Sequence, residues 1–123
     1  MYKRQSYNIG IGQSTLNVLT KGYYDIAIGS YAGQLITTGA ANTAIGAFAL
    51  SKVTTAVSNT AIGPQTMQYI TGAQNTFVGR GAAIGVNASS ANSYNVGLGL
   101  SLIHISTRRI MSCKRMWAVP GQN

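Results

Sequence analysis

Aliphatic residues and glycines recur along this chain with a period of about seventeen residues. The repeated unit reads Asn-x-Ala-Ile-Gly or close to it, and successive glycines of the unit stand 17, 17, 17, 16 and 20 residues apart. A fixed period of this size is typical of proteins that stack one small supersecondary unit on the next. The glycines that close the six units are Gly12, Gly29, Gly46, Gly63, Gly79 and Gly99.

Two columns of the aligned repeats are aliphatic, and both are predicted to form the core. The residue before each glycine is Ile11, Ile28, Ile45, Ile62, Val78 or Leu98. The residue seven places after it is Leu19, Ile36, Val53, Ile70 or Val86. A looser apolar column four places after the glycine comprises Leu16, Gly33, Leu50, Met67 and Ala83. Because one unit offers so few apolar side chains, it cannot offset its own ordering entropy, and neighbouring units must stack.

The polar columns predict the turns. Glycine recurs where each short apolar run ends, a place where a positive φ would be costly for other residues. Asparagine or aspartate opens each unit and suits a corner, because its side chain bonds to nearby backbone. If the units stack at the spacing of β-strands, about 4.8 Å, these side chains also form a hydrogen-bonded ladder. The members of this column are Asn8, Asp25, Asn42, Asn59, Asn75 and Asn95.

The spacing of the apolar residues predicts an all-β fold. The β-branched runs are short, are bounded by glycine and by Thr-Gly or Ser-Asn, and show no helical periodicity over any long window. We therefore predict a parallel β-solenoid in which each repeat of about seventeen residues is one coil of short strands and tight turns.

Both ends of the chain depart from the repeat. Residues 1–5 read as a translation of GTG-TAT-AAG-AGA-CAG, and residues 100–105 as a translation of CTG-TCT-CTT-ATA-CAC-ATC. Over their shared length these strings are reverse complements, and both resemble the mosaic-end tag of transposase-made sequencing libraries. We expect residues 1–5 and 100–123 to be library sequence, and residues 6–99 to be a fragment of a longer protein. The alternative is a genuine basic C-terminal tail, since residues 106–123 match no part of the tag.

This division changes the meaning of the charge. The chain has a formal net charge of +8, which by itself suggests a nucleic acid or an anionic membrane as partner. Six of its nine basic residues lie in the two ends. The repeats keep only Lys21, Lys52 and Arg80 against Asp25, so they carry no basic stripe for nucleic acid. The uncharged stretch from Val53 to Gly79 is too polar to insert into a membrane.

The residue types exclude most enzyme chemistry. The chain has one acidic residue, so a pair of carboxylates for glycoside hydrolysis cannot form. Its one histidine and one cysteine lie in the C-terminal end, so the repeats can build neither a Ser-His-Asp triad nor a metal site rich in histidine or thiolate. We predict no catalytic, cofactor-binding or metal-binding residues, and we do not expect an enzyme.

The repeats resemble a known family. The units Asn42-Thr-Ala-Ile-Gly-Ala-Phe-Ala-Leu50 and Asn59-Thr-Ala-Ile-Gly63 are similar to the NTAIGxxAL repeats of bacteriophage tail-fibre and tailspike proteins. They are also similar to shorter xAIGxxA repeats in the heads of trimeric autotransporter adhesins. The resemblance covers residues 7–99 and implies a left-handed parallel β-roll in which three chains pack aliphatic columns toward one axis. The last copy departs from the period, because residues 88–94 contain an insertion, and a loop is expected there.

Three functions follow from this resemblance and from the predicted shape. The first is the shaft or head of a trimeric phage tail fibre, located in the virion tail, whose full-length protein binds a glycan or protein receptor on the host. The second is the head of a bacterial surface adhesin, located outside the cell. The third is ice binding, suggested by a threonine column eight residues after the glycine: Thr20, Thr37, Thr54 and Thr71. That single column lacks the paired Thr-x-Thr ranks of a flat ice-binding face.

Overall fold

The computed structural model describes residues 7–84 and 93–99, and it confirms the all-β solenoid. Over these residues the chain forms a six-stranded parallel sheet in which strands pair in sequence order, giving a solenoid of about five turns. The left-handed sense and the trimer stay predictions from the resemblance. The strands are β1 (Ile9–Ile11), β2 (Ile26–Ile28), β3 (Thr43–Ile45), β4 (Thr60–Ile62), β5 (Thr76–Val78) and β6 (Val96–Leu98).

The register of the sheet matches the repeat residue for residue. Ala44 of β3 lies opposite Ala61 of β4, and Ile45 lies opposite Ile62. Backbone hydrogen bonds continue past the strands, where the N–H of Gly63 donates to the carbonyl oxygen of Ile45 at 2.7 Å. Each sequence repeat is therefore one coil, and every coil is bonded to the next along the axis of the stack.

The interior of each coil is narrow. In β2 to β5 the middle residue of the strand points inward and is buried; these residues are Ala27, Ala44, Ala61 and Phe77. They meet the column seven places after the glycine, in which Ile36, Val53 and Ile70 are buried and Leu19 is half-buried. Small side chains are common on the strand side because two facing layers of one coil leave little room between them.

The column before the glycine lies outside the coil, which corrects the prediction that it forms the core of the chain. Ile11 is 59% exposed, Ile62 is 37% exposed and Leu98 is 73% exposed. Ile28, Ile45 and Val78 are half-buried. The cause is the alternation of side chains along a strand: when the middle residue of a three-residue strand points inward, its two neighbours must point outward.

Residues on facing sides of the core compensate for one another in size. Coils with an inward alanine, Ala44 or Ala61, have Leu50 or Met67 in the column four places after the glycine. The coil with Phe77 has Ala83 there instead. All six side chains belong to one buried hydrophobic cluster. In these three coils a large side chain on one wall thus coincides with a small one on the other, which keeps their packed volumes similar.

The turns of each coil contain several residues with positive φ. The predicted turn glycines adopt it, with values from 111° at Gly99 to 128° at Gly12. Three further positions in most coils also have φ near 50–65°, and at these positions stand large residues such as Tyr31, Leu50 and Met67. L-residues avoid this region at a cost of about 1–2 kcal/mol each, so the stack imposes it on them.

Candidate functional site

The asparagine column forms a ladder that runs through the stack. In each step the side-chain Oδ1 of one member accepts the backbone N–H of the equivalent residue in the next coil. Asn59 N–H donates to Asn42 Oδ1 at 3.1 Å, and Asn75 N–H donates to Asn59 Oδ1 at 2.9 Å. The same bond joins Asp25 to Asn8, Asn42 to Asp25, and Asn95 to Asn75. The predicted ladder therefore exists, with side chain to backbone as its repeating bond.

The amide nitrogens of the ladder have a second role within the coils. Asn8 Nδ2 donates to the carbonyl oxygen of Gly22 at 2.9 Å, and Asn42 Nδ2 donates to that of Ala56 at 2.8 Å. Asn59 Nδ2 donates likewise to Gly72 at 2.8 Å. Because these side chains satisfy backbone groups in the closely packed turns, they fix where each coil bends.

Asp25 differs from the other members of the ladder. Its Oδ1 accepts the backbone N–H of Asn42 at 2.9 Å and Asn42 Nδ2 at 2.8 Å. Its Oδ2 has no hydrogen-bond partner, although the residue is only 1% exposed. Burial raises the pKa of Asp25 above its ordinary value, and the two hydrogen bonds from Asn42 oppose that effect.

The turn glycines set how closely the coils approach. A Cβ atom on Gly46 would lie 2.5 Å from the carbonyl carbon of Gly63 in the next coil. Gly29 and Gly63 meet the coils that follow them in the same way, at 2.7 Å. Glycine is required here by both its positive φ and this backbone contact.

The outer face of the sheet carries an apolar ribbon, defined as the first and third residues of β1 to β6. One edge of it is the aliphatic column before the glycine. The other edge runs Ile9, Ile26, Thr43, Thr60, Thr76 and Val96. No charged residue belongs to the ribbon, and six strands at about 4.8 Å spacing make it roughly 24 Å long. The sequence analysis missed the second edge, although the period of two in a strand links residues 43 and 45 on one face.

Aromatic side chains stack along two other lines of the surface. The rings of Tyr7 and Tyr24 are parallel with centroids 5.4 Å apart, and those of Tyr31 and Phe48 are parallel at 5.0 Å. Tyr23 meets Tyr24 edge to face at 5.5 Å. The two parallel pairs join equivalent positions of successive coils, so each adds stabilisation of about 0.5–1.5 kcal/mol between coils beyond area burial.

In the threonine column eight places after the glycine, the side chains of Thr20 and Thr37 bond to the backbone of the next coil. The hydroxyl of Thr20 donates to the carbonyl oxygen of Thr37 at 3.0 Å, and the hydroxyl of Thr37 donates to that of Thr54 at 3.1 Å. These hydroxyl hydrogens therefore bind backbone rather than solvent.

The described residues contain no cluster of the kind that binds a metal ion. No group of three or more His, Cys, Asp or Glu residues occurs over residues 7–84 and 93–99. In the same part of the chain no helix is present that is long and apolar enough to cross a membrane. Val86, residues 88–92 of the insertion predicted at 88–94, and the two suspected library ends lie outside the described residues.

Comparison with known proteins adds no family to these observations. The chain matches no protein-family model, no curated protein and no solved structure. The features of the chain that bear on its function are therefore the ladder, the close stacking of coils and the apolar ribbon.

Proposed function

We propose that this β-solenoid is a structural segment, shaft or head, of a trimeric fibre that attaches a phage to its host. The observation that carries the proposal is the apolar ribbon, which continues along the whole described stack and whose residues are exposed or half-buried in the single chain. Contiguous exposed apolar surface of this kind marks a protein interface.

The chemistry of the ribbon favours another copy of the same chain as its partner. The ribbon carries no charge, so copies brought together do not repel one another. Because the strands of one chain stack in register, parallel copies would bring the same ribbon residues together at each coil. A closed ring of three copies would cover three ribbons around one axis and leave none of them open. The number three comes from the resemblance to tail-fibre repeats.

The remaining features suit a rod. Backbone bonds, the asparagine ladder and the glycine contacts all join one coil to the next, so the stack resists bending at every level. The other surfaces carry tyrosine, threonine and glutamine with few charges. Receptor recognition is thus assigned to the full-length protein, with this segment as support.

The alternative is the head of a bacterial trimeric adhesin, which would use the same roll and the same ribbon. The two proposals differ in the flanking sequence. A virion-attachment domain upstream favours the fibre, whereas a stalk with heptads and a membrane anchor downstream favours the adhesin.

The experiment that tests the assembly is light scattering coupled to size exclusion on the full chain. The expected mass is three times the 12.9 kDa of one chain. The double variant I28N/I62N places two amides on the ribbon and should shift the population toward smaller species, because burying unpaired amides at an interface is unfavourable.

Y69N is the matched control, because Tyr69 is exposed but lies outside the six strands. It should leave the mass unchanged. A folded wild-type chain that remains a monomer at all concentrations would contradict the trimer, and an equal response to Tyr69→Asn would contradict the role of the ribbon.

A further inference from the structure

The rung at Asp25 lacks the donor that equivalent rungs use. Asn8 Nδ2 and Asn42 Nδ2 each donate to a carbonyl oxygen fourteen residues later, at Gly22 and Ala56. The equivalent carbonyl for Asp25 is that of Gly39. A Cβ atom placed on Gly22 would lie 2.6 Å from Gly39 O and 2.7 Å from Asp25 Oδ2, so both oxygens line the same small space.

Two unprotonated oxygens facing each other in a buried site repel, whereas a carboxylic acid supplies the missing hydrogen. We infer that Asp25 is held as a neutral acid in the folded chain and donates its Oδ2 hydrogen to the carbonyl oxygen of Gly39, making this rung a proton-dependent latch. The carboxyl group then does what the amide does in the neighbouring rungs: Oδ1 accepts from the next coil, and Oδ2 donates within its own coil.

Among the described residues, no charged side chain shifts the pKa of Asp25 toward the ionised form. The coil before it contributes Asn8, Leu19 and Gly22, its own coil contributes Gly39, and the coil after it contributes Asn42. The titratable groups nearby are the solvent-exposed Lys21, Tyr7, Tyr23 and Tyr24. Only desolvation and the bonds from Asn42 act on the pKa of Asp25, and desolvation is the larger.

The latch has a definite pH dependence. Below the ordinary pKa of 3.8 the acid is neutral in both the folded and unfolded chain, and its contribution is complete. Above 3.8 the unfolded chain loses its proton while the folded chain keeps it, so stability falls as pH rises. The unfolding equilibrium constant rises about tenfold per pH unit until the pKa of the folded state is reached.

Asp25 is the single acidic side chain of the chain, which makes the test unusually direct. In the full chain with aspartate labelled at its carboxyl carbon, one ¹³C side-chain carboxyl signal is expected. It should keep the position of a protonated acid well above pH 4 and should titrate at a higher pH. A signal that titrates near 3.8 in the folded protein overturns the inference.

The matched variant is D25N, which restores an amide to the rung. Urea unfolding from pH 4 to pH 8 should show wild-type stability falling with pH relative to Asp25→Asn, and the two should converge toward pH 4. Parallel curves across that range would overturn the latch. If Asp25→Asn does not fold, the carboxyl titration of the wild-type chain decides the question alone. Because both readouts concern one buried rung, their outcome is independent of trimer formation.

Discussion

Ala44 and Ile45 are neighbours in β3 and face opposite sides of the solenoid wall. Ala44 is 1% exposed inside the coil, whereas Ile45 lies on the apolar ribbon. The smaller side chain therefore belongs to the core of the chain, and the larger one is available to a partner. This arrangement separates substitutions that affect folding from those that affect assembly.

Substituting each of these two residues by asparagine should give different results. Ala44→Asn places a larger, unpaired amide in the narrow core and should cost about 3 kcal/mol or more of unfolding free energy. Ile45→Asn should cost less than about 1 kcal/mol in dilute monomer, because its side chain already meets water there. Its main effect should be weaker association.

Urea melts at several protein concentrations measure both effects. Lys52→Ala serves as the control, because Lys52 is exposed and its loss should change stability by no more than about 0.5 kcal/mol. Equal losses for Ala44→Asn and Ile45→Asn in dilute solution would show that the two sides of β3 are assigned wrongly.

The size compensation between Phe77 and Ala83 predicts a non-additive pair of substitutions. Phe77→Ala should cost about 3–5 kcal/mol, because it leaves a cavity in a fully buried site. Adding Ala83→Leu should recover part of that loss, because it restores the pairing that Ala44 and Leu50 have two coils earlier. A double-mutant cycle from thermal melts measures the coupling, and simple additivity would argue against compensation.

The asparagine ladder should contribute strongly at its fully buried rungs. Asn59→Ala leaves the N–H of Asn75 and the carbonyl oxygen of Gly72 without their bonds, each worth about 1–3 kcal/mol when buried. Asn59→Asp keeps the first bond and, as inferred for Asp25, makes the second only while protonated, so its loss should grow as the pH rises. Thr55→Ala, on an exposed side chain, is the control in denaturant melts. A loss no larger than that of the control would mean that water replaces the ladder without cost.

Positive φ at Ala41 predicts a stabilising glycine. Ala41 is exposed with φ of 56°, and its N–H already donates to the carbonyl oxygen of Tyr23, a bond that glycine keeps. Relief of about 1–2 kcal/mol of strain exceeds the entropic cost of glycine, about 0.5–1 kcal/mol. Ala47→Gly, at a position without positive φ, should destabilise instead. The sign of the change in melting temperature for each variant is the test.

Much of the fold is readable from the sequence because each repeat performs the same structural task. The glycine period gives the coil length, and Gly46 and its equivalents carry positive φ as predicted. The column of Asn42 and Asn59 predicts the ladder because equivalent side chains must stack when coils stack. These features depend on local backbone geometry, and glycine and asparagine are the residue types that such geometry favours.

The inward and outward faces were harder to read from the sequence. An aliphatic column such as Ile28, Ile45 and Ile62 has the same pattern whether it meets its own chain or another chain. The alanines between Thr and Ile in β3 and β4 show the inward face, but their small size makes them inconspicuous. Positive φ at Leu50 and Met67 has no residue-type signal, because these residues usually avoid that region.

The direction of the backbone hydrogen bonds has a mechanical consequence. These bonds, such as the one from Gly63 N–H to Ile45 O, lie along the axis of the stack. A force that pulls the two chain ends apart therefore breaks the bonds of one coil before those of the next. Each opened coil releases about seventeen residues, or roughly 58 Å of extended chain. A filament under such a load lengthens in steps of about one coil each, and it yields gradually instead of breaking at one point.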